Sequence, residues 1–257
     1  MCLTKLSINE YDKNRREMLK NKRILITGAA RRIGREFALA IARQHAHVTI
    51  HHGHSPEEAQ ATAEEIRRMG SQVDIIEADF SNPEIAIGKF EKYFSNRDHI
   101  YAIVNNAAIF KPINFRDTTL TEWEEHIKVN LTMPFLLSQL FAKTFNNKNG
   151  KIVNILDWRA LRPGIDHFPY TISKSALAGM TRSLAYALAP GIQVNGIALG
   201  AILPPSDGNK SSDIITQVPA KRWSTISELT NTLLFLLNGP DYITGEIIHL
   251  DGGRHLV

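Results

Sequence analysis

The sequence predicts an α/β fold, a doubly wound parallel sheet of about seven strands with helices on both faces. Three observations point there. Short apolar runs alternate with amphipathic segments along the chain, as successive βα units require. The first apolar run leads straight into a glycine-bearing turn and a helix-period pattern. No repeat, low-complexity tract or linker breaks the alternation over 257 residues, a length one α/β domain can fill.

The elements follow in order. Residues 1–21 form a polar arm, either frayed or a helix on the surface, and 22–257 form the folded domain. "RILIT" (Arg23 to Thr27) is an apolar run of the kind a strand buried on both faces carries. Ile33, Phe37 and Ile41 then recur at helical spacing. "HVTIH" (His47 to His51) is the second strand, and Ser55 and Pro56 supply N-cap and first position of the next helix. "QVDIIEA" is the third strand, with Pro83 opening the helix after it.

"YAIVNN" is the fourth strand, and the following helix starts at a capping box of Thr121 with Glu124. Pro134 lies four residues after Asn130, lacks the N–H that would bond its carbonyl, and crowds it. That spacing predicts a kinked helix with a free acceptor. "KIVNIL", "IQVNGIAL" and "EIIHL" are the fifth, sixth and seventh strands. The irregular segment from Ala201 to Ala220 is long for a connection and suits a substrate lid.

Composition narrows the function classes. With 43% hydrophobic and 22% charged residues the chain reads as a soluble globular protein. The net charge of +4 is spread without a dense Lys/Arg block, so no nucleic-acid partner is expected. The one cysteine, Cys2, forms no intramolecular disulfide. No leader-like apolar region and no run near ~20 apolar residues is present, so a cytoplasmic protein without a membrane span is expected.

The chemistry starts at "TGAARRIG". Gly28 makes a tight turn and Gly34 permits close packing of the new helix. Backbone N–H groups at that helix start suit a pyrophosphate. The second strand ends in "HHGHS", without the Asp or Glu that would hold a ribose 2′-hydroxyl. His54, Ser55 and Arg31 are available to a 2′-phosphate instead, which favours NADPH over NADH. Two other readings of the histidines stand beside this one: ordinary loop residues, or metal ligands. No Cys or acid completes a metal-site spacing, so no metal is expected.

Tyr170 and Lys174 sit four apart and project from one helix face, and Asp157 lies upstream at the end of the fifth strand. The ordered set "TGAARRIG", "NNAA", Asn130, Tyr170 with Lys174 and "ITGEIIHLDGG" resembles the short-chain dehydrogenase/reductase family over nearly all of 22–257. The resemblance implies a single-domain Rossmann-like fold. It implies Tyr170 as general acid, Lys174 as the group that lowers its pKa and holds the nicotinamide ribose, and Asn130 as part of a water relay. The cofactor residues so implied are Gly28, Arg31, Arg32, Ile33, Gly34, His52, His54, Ser55, Asp79, Phe80, Asn106, Ala107, Tyr170, Lys174 and Gly200. A free tyrosine titrates near ~10, so an adjacent ammonium would bring it toward working pH.

Most of the family has serine where this chain has Asp157. A serine hydroxyl donates to a carbonyl oxygen gaining charge; an ionised aspartate only accepts. A carboxyl can, however, accept from ring N–H and amino groups, or protonate a ring nitrogen, and pterins offer both. Arg32 in place of the usual middle glycine, "NNAAIF" with Phe110, Asp157 and "DGGRHL" resemble the pteridine reductases and bacterial dihydromonapterin reductases within the family. By that resemblance Phe110 stacks on the pterin and Arg32 reaches pterin or cofactor phosphate, with Asp157 and Tyr170 also contacting substrate.

Ala108 and Leu199 depart from that pattern, standing where a serine and a proline are usual. The expected activity is NADPH-dependent reduction of dihydromonapterin, dihydrobiopterin or dihydrofolate. The alternatives are a carbonyl reductase of the same family acting on a 3-oxoacyl thioester, sugar or small ketone, and a catalytically silent nucleotide-binding protein. Asp157 could also simply cap the turn after its strand. The resemblance further implies a homotetramer, and Ala176, Ala178, Gly179 and Ala185 would permit close helix approach.

Overall fold

The computed structural model describes residues 19–96, 99–144, 149–203 and 212–257. Nearly all of the polar arm, Cys2 included, and the centre of the expected lid lie outside the described residues. Seven parallel strands, β1 (Arg23–Ile26), β2 (His47–His52), β3 (Val73–Glu77), β4 (Ile100–Asn105), β5 (Gly150–Asp157), β6 (Ile192–Leu199) and β7 (Ile247–Leu250), form one sheet. Its order is β3-β2-β1-β4-β5-β6-β7. The order reverses between β1 and β4, and ligands of such sheets bind outside the carboxyl ends of the strands at this reversal.

Alternation along each strand splits the core in two. Ile24 and Ile26 of β1 face one layer, built with α1 (Arg32–Ala42), α2 (Pro56–Arg68) and α8 (Ile226–Asn238). Leu25 faces the other, against Phe90 of α3 (Pro83–Ser95) and Leu137 and Phe141 of α5 (Met133–Thr144). The long α6 (Phe168–Leu188) lies on this second face, with Lys174 on its buried side. A short α7 (Ser212–Thr216) occupies the described end of the expected lid. No helix among the described residues is long and apolar enough to cross a membrane.

Two local expectations are corrected. The capping box opening α4 (Leu120–Ile127) is Thr119 with Glu122, not Thr121 with Glu124. Both pairs fit the same spacing in "TTLTEWEE", and the structure uses the first. The strain expected at Pro134 appears as a π-helical turn over Lys128–Thr132, where the Met133 N–H reaches back to the Lys128 carbonyl. A π turn accommodates a residue that cannot donate to position i−4, and such turns recur at functional sites. Asn130 sits inside it, fully buried.

Candidate active site

At the end of β1 the chain turns through Gly28, whose φ of +64° is left-handed and whose added Cβ would lie 2.9 Å from the Ala107 Cα. A Cβ on Gly34 would fall 2.1 Å from the Gly28 carbonyl oxygen and 2.7 Å from Asn106 Nδ2. These two positions therefore admit no side chain without backbone movement. Arg32 takes φ +51°, a conformation glycine adopts freely and other residues hold at about 1 kcal/mol of strain. This explains what the usual middle glycine does and what arginine must tolerate there.

Three side chains lock the turn to β4 and β2. Thr27 Oγ1 accepts from the backbone N–H of Asn106 and of Ala107, each at 2.9 Å, while Asn106 Nδ2 donates to the Thr27 and Gly28 carbonyls at 2.8 and 3.1 Å. His51, unmarked in the sequence reading, accepts the Gly28 N–H on Nδ1 at 3.2 Å and donates from Nε2 to the Ala78 carbonyl at 2.8 Å. One acceptor and one donor define the neutral tautomer. Burial pushes its pKa down to about 4. Its ring stacks on Phe80 with centroids 4.1 Å apart, so Phe80 supports the turn from behind, in the core.

Arg31 and Arg32 are exposed, and Ile33 is half-buried against the core. His54 is exposed with Nε2 3.4 Å from Asp79 Oδ2, and Asp79 also accepts from the Ser81 N–H and hydroxyl. Ser55 is the N-cap of α2. His52, in contrast, is buried at the strand end, and its Nδ1 has no hydrogen-bond partner. Gly200 lies at the end of β6, where a Cβ would stand 2.6 Å from the Asp251 Cα. A glycine-bounded backbone cradle, no acid closing β2 and two exposed arginines at the neighbouring strand end fit an NADP-type dinucleotide. Among the described residues no group of His, Cys, Asp and Glu could hold a metal ion.

Asp157, Tyr170 and Lys174 converge at the carboxyl edge of β5. The Tyr170 hydroxyl donates to Asp157 Oδ2 at 3.2 Å, and the Lys174 ammonium donates to the Ile155 carbonyl at 2.7 Å. Burial raises the Asp157 carboxyl above its ordinary range and brings Lys174 down to about 8. Burial, reinforced by Asp157, raises the Tyr170 phenol well above its ordinary value. The Lys174 ammonium, 5.8 Å from the Tyr170 ring centroid, is turned to Ile155. Tyr170 therefore stays a protonated donor at neutral pH.

Asp157 also caps its turn, since Oδ1 accepts the Arg159 N–H at 2.9 Å at the start of the 3-10 turn Trp158–Ala160. The capping contact uses Oδ1 and the Tyr170 contact uses Oδ2, so the two do not compete. Asn130 Oδ1 accepts the Ile109 N–H at 2.9 Å, and its Nδ2 donates to the Ile109 carbonyl at 3.1 Å and to Ser173 Oγ at 3.0 Å. Both amide donors are thus spent joining the loop after β4 to α6.

Phe110, half-exposed, stacks on His167 at 3.8 Å and meets Tyr170 edge-on at 4.6 Å. His167, a residue the motifs did not flag, therefore covers one ring face of Phe110. On α6, Ala178 and Ala185 pack inside the subunit, leaving Ala176 and Gly179 on the outer surface.

Comparison with known proteins agrees with this geometry. A family model described as enoyl-(acyl carrier protein) reductase matches residues 28–255. The 3-oxoacyl-[acyl-carrier-protein] reductase FabG of Aquifex aeolicus is 36% identical over 243 residues, covering 91% of this chain and 98% of its own. The 2-dehydro-3-deoxy-D-gluconate 5-dehydrogenase of Bacillus subtilis is 34% identical over 245 residues, covering 91% and 95%. Among solved structures, FolM alternative dihydrofolate reductase 1 of Brucella canis, complexed with NADP, superposes with a TM-score of 0.85 at 34% identity, covering 93% of this chain and 96% of its own. The chain belongs to the short-chain dehydrogenase/reductase family and is an oxidoreductase of that family.

Proposed function

We propose that this protein is an NADPH-dependent reductase of reduced pterins, converting a dihydropterin such as dihydromonapterin, dihydrobiopterin or dihydrofolate to its tetrahydro form. The observation that carries the reading is the Tyr170–Asp157 hydrogen bond at the carboxyl edge of β5. Both groups hold their protons more tightly than usual, because burial disfavours their charged forms. Together they can accept hydrogen bonds from amino and ring N–H groups and deliver a proton to a ring nitrogen.

NADPH supplies the hydride. The backbone from Gly28 to Gly34 would hold its pyrophosphate, Arg31 and Arg32 its 2′-phosphate, and Lys174 with Tyr170 its nicotinamide ribose. Asn130 fixes the Asn106–Phe110 loop against α6, which keeps Phe110 edge-on to Tyr170 as an aromatic wall for a flat heterocycle. Asp157 keeps Oδ1 on the turn and Oδ2 on Tyr170, which leaves Oδ2 as the oxygen that would meet the substrate. The similarity to a FolM alternative dihydrofolate reductase supports the same substrate class. By the family resemblance, the assembly is a homotetramer in which Ala176 and Gly179 are free to meet a neighbouring subunit.

A second reading, reduction of a carbonyl such as a 3-oxoacyl thioester, is favoured by the similarity to FabG. An ionised Asp157 would repel the oxygen that gains charge in that reaction. The two readings separate in one assay. NADPH oxidation is followed with a dihydropterin or a 3-oxoacyl thioester, for the natural protein and for Asp157→Ser. Pterin turnover that falls at least about a hundredfold in the variant, with NADPH affinity unchanged, is expected. Thioester turnover alone, or thioester turnover improved by serine, would replace the pterin reading with the carbonyl one.

A further inference from the structure

Arg159 belongs to none of the motifs read from the sequence, yet it meets Asp157 with both its backbone N–H and its guanidinium. Its side chain is 13% exposed. Its backbone N–H donates to Asp157 Oδ1 at 2.9 Å, and its Nη1 lies 3.6 Å from the same oxygen. The other edge of the guanidinium grips Asp166, with Nε 3.4 Å from Oδ1 and Nη2 2.9 Å from Oδ2. One cation thus spans two carboxylates, one at the site and one in the segment before α6.

That segment is the one that closes the aromatic wall. His167 follows Asp166, holds a left-handed φ of +51°, hydrogen-bonds the Lys111 carbonyl through Nδ1 at 3.0 Å and stacks on Phe110. The Phe168 N–H reaches the Ile113 carbonyl at 2.7 Å, so the loop after β4 and the segment before α6 are zipped together. Arg159 is the link between this zipper and Asp157.

We propose that Arg159 is a positioning residue for the reduction. By holding Asp157 through Oδ1 and Asp166 through a forked contact, it presents Oδ2 to Tyr170 and the substrate and anchors His167 over Phe110. The role rests on the reading of Asp157 as the substrate-facing acid.

The charged groups around Asp157 define what removal of Arg159 would do. Tyr170 and Lys174 face it from α6, Asp166 and His167 from the preceding segment, and Arg254 from the C-terminal turn, where its guanidinium covers Trp158 at 4.3 Å. Lys174 is a counter-charge but spends a hydrogen bond on Ile155, and Arg254 is shared with Asp251 and Asp166. Arg159 is the cation that contacts Asp157 directly. Without it, burial acts on the carboxyl with less opposition, and its protonated form persists to higher pH.

The test uses Arg159→Met, Arg159→Lys and Asp166→Asn in the full chain. The first readout is infrared titration of the Asp157 carboxyl, whose band is assigned by its loss in Asp157→Asn. The midpoint is expected to rise about one pH unit in Arg159→Met and to return most of the way in Arg159→Lys, which keeps the charge. The second readout is kinetic. The pterin KM is expected to rise about tenfold in all three variants, because lysine lacks the fork and asparagine lacks its charged partner.

The limb of the kcat/KM profile that reports Asp157 should move upward in Arg159→Met alone. An unmoved midpoint and profile in an Arg159→Met protein that keeps its circular dichroism and NADPH affinity would overturn the inference. Failure of the natural protein to turn over pterins would refute the functional reading instead, and the infrared titration would still decide whether Arg159 governs Asp157.

Discussion

Lowering the pH from 7 to 5 should weaken the cofactor turn through His51. The imidazole is fully buried, with both nitrogens committed in the neutral tautomer. Protonating Nδ1 would set an N–H against the Gly28 N–H. The folded pKa is about 4 and the unfolded one ~6.5, so between these values the unfolded chain binds the extra proton. The contribution is complete above pH 6.5 and is lost as the pH falls toward 4. Linkage over this gap gives roughly 2 kcal/mol lost between pH 7 and 5, and about 3 kcal/mol in all. The assay is urea unfolding at fixed protein concentration at several pH values, comparing the natural protein with His51→Phe. The variant should be less stable at pH 7, because it strands the Gly28 N–H and the Ala78 carbonyl, but its stability should fall less on acidification. Parallel pH dependences would refute the argument, since they would show that another group carries the slope.

Two further outcomes follow from packing. Gly34→Ala places a methyl 2.1 Å from the Gly28 carbonyl oxygen, and backbone must move to admit it. NADPH affinity, read by fluorescence titration, is expected to drop at least about tenfold; binding within about twofold of the natural protein would show that the turn yields more than the geometry implies. Assembly is checked by light scattering on the purified protein. A tetrameric mass is expected, and a monomer would remove the role given to the outer face of α6.

The sheet was legible because parallel strands buried on both faces carry nearly unbroken apolar runs, as in "RILI" and "IQVNGIAL". The glycine turn was legible because only bare backbone fits 2.1 Å from Gly28. Where the pattern was degenerate, reading stopped short. Thr119 and Thr121 each have a glutamate three residues on, so the capping box could be placed but not registered. At Pro134 the missing donor was visible, while the π turn over Lys128–Thr132 that absorbs it left no pattern of its own. Arg159, Asp166 and His167 left no motif because their partners are fixed by tertiary contact: Asp166 with Arg159 seven residues before it, and His167 with Phe110 across the cleft. His51 was hidden among four histidines of "HVTIHHGH", where only burial separates the structural one from the exposed His54.

The charge arrangement explains how a carboxyl can stand where a serine is usual. A buried carboxylate with no counter-charge would be costly, and neutralising it permanently would leave it unable to accept hydrogen bonds. Here the two demands are divided between its oxygens. Oδ1 is stabilised by the Arg159 N–H and guanidinium, on the turn that directly follows β5. Oδ2 meets a phenol that burial keeps protonated. Lys174, drawn down to about 8, still carries its charge at neutral pH and offsets the acid from α6. Burial acts against the charged form of all three groups, while Arg159 and Lys174 act on Asp157 in the opposite sense. On the proposed pterin reading, this balance is what would let one carboxyl both accept a hydrogen bond from a ring N–H and give a proton to a ring nitrogen. A serine hydroxyl in the same place does not ionise at neutral pH, so it would need neither Arg159 nor the fork to Asp166.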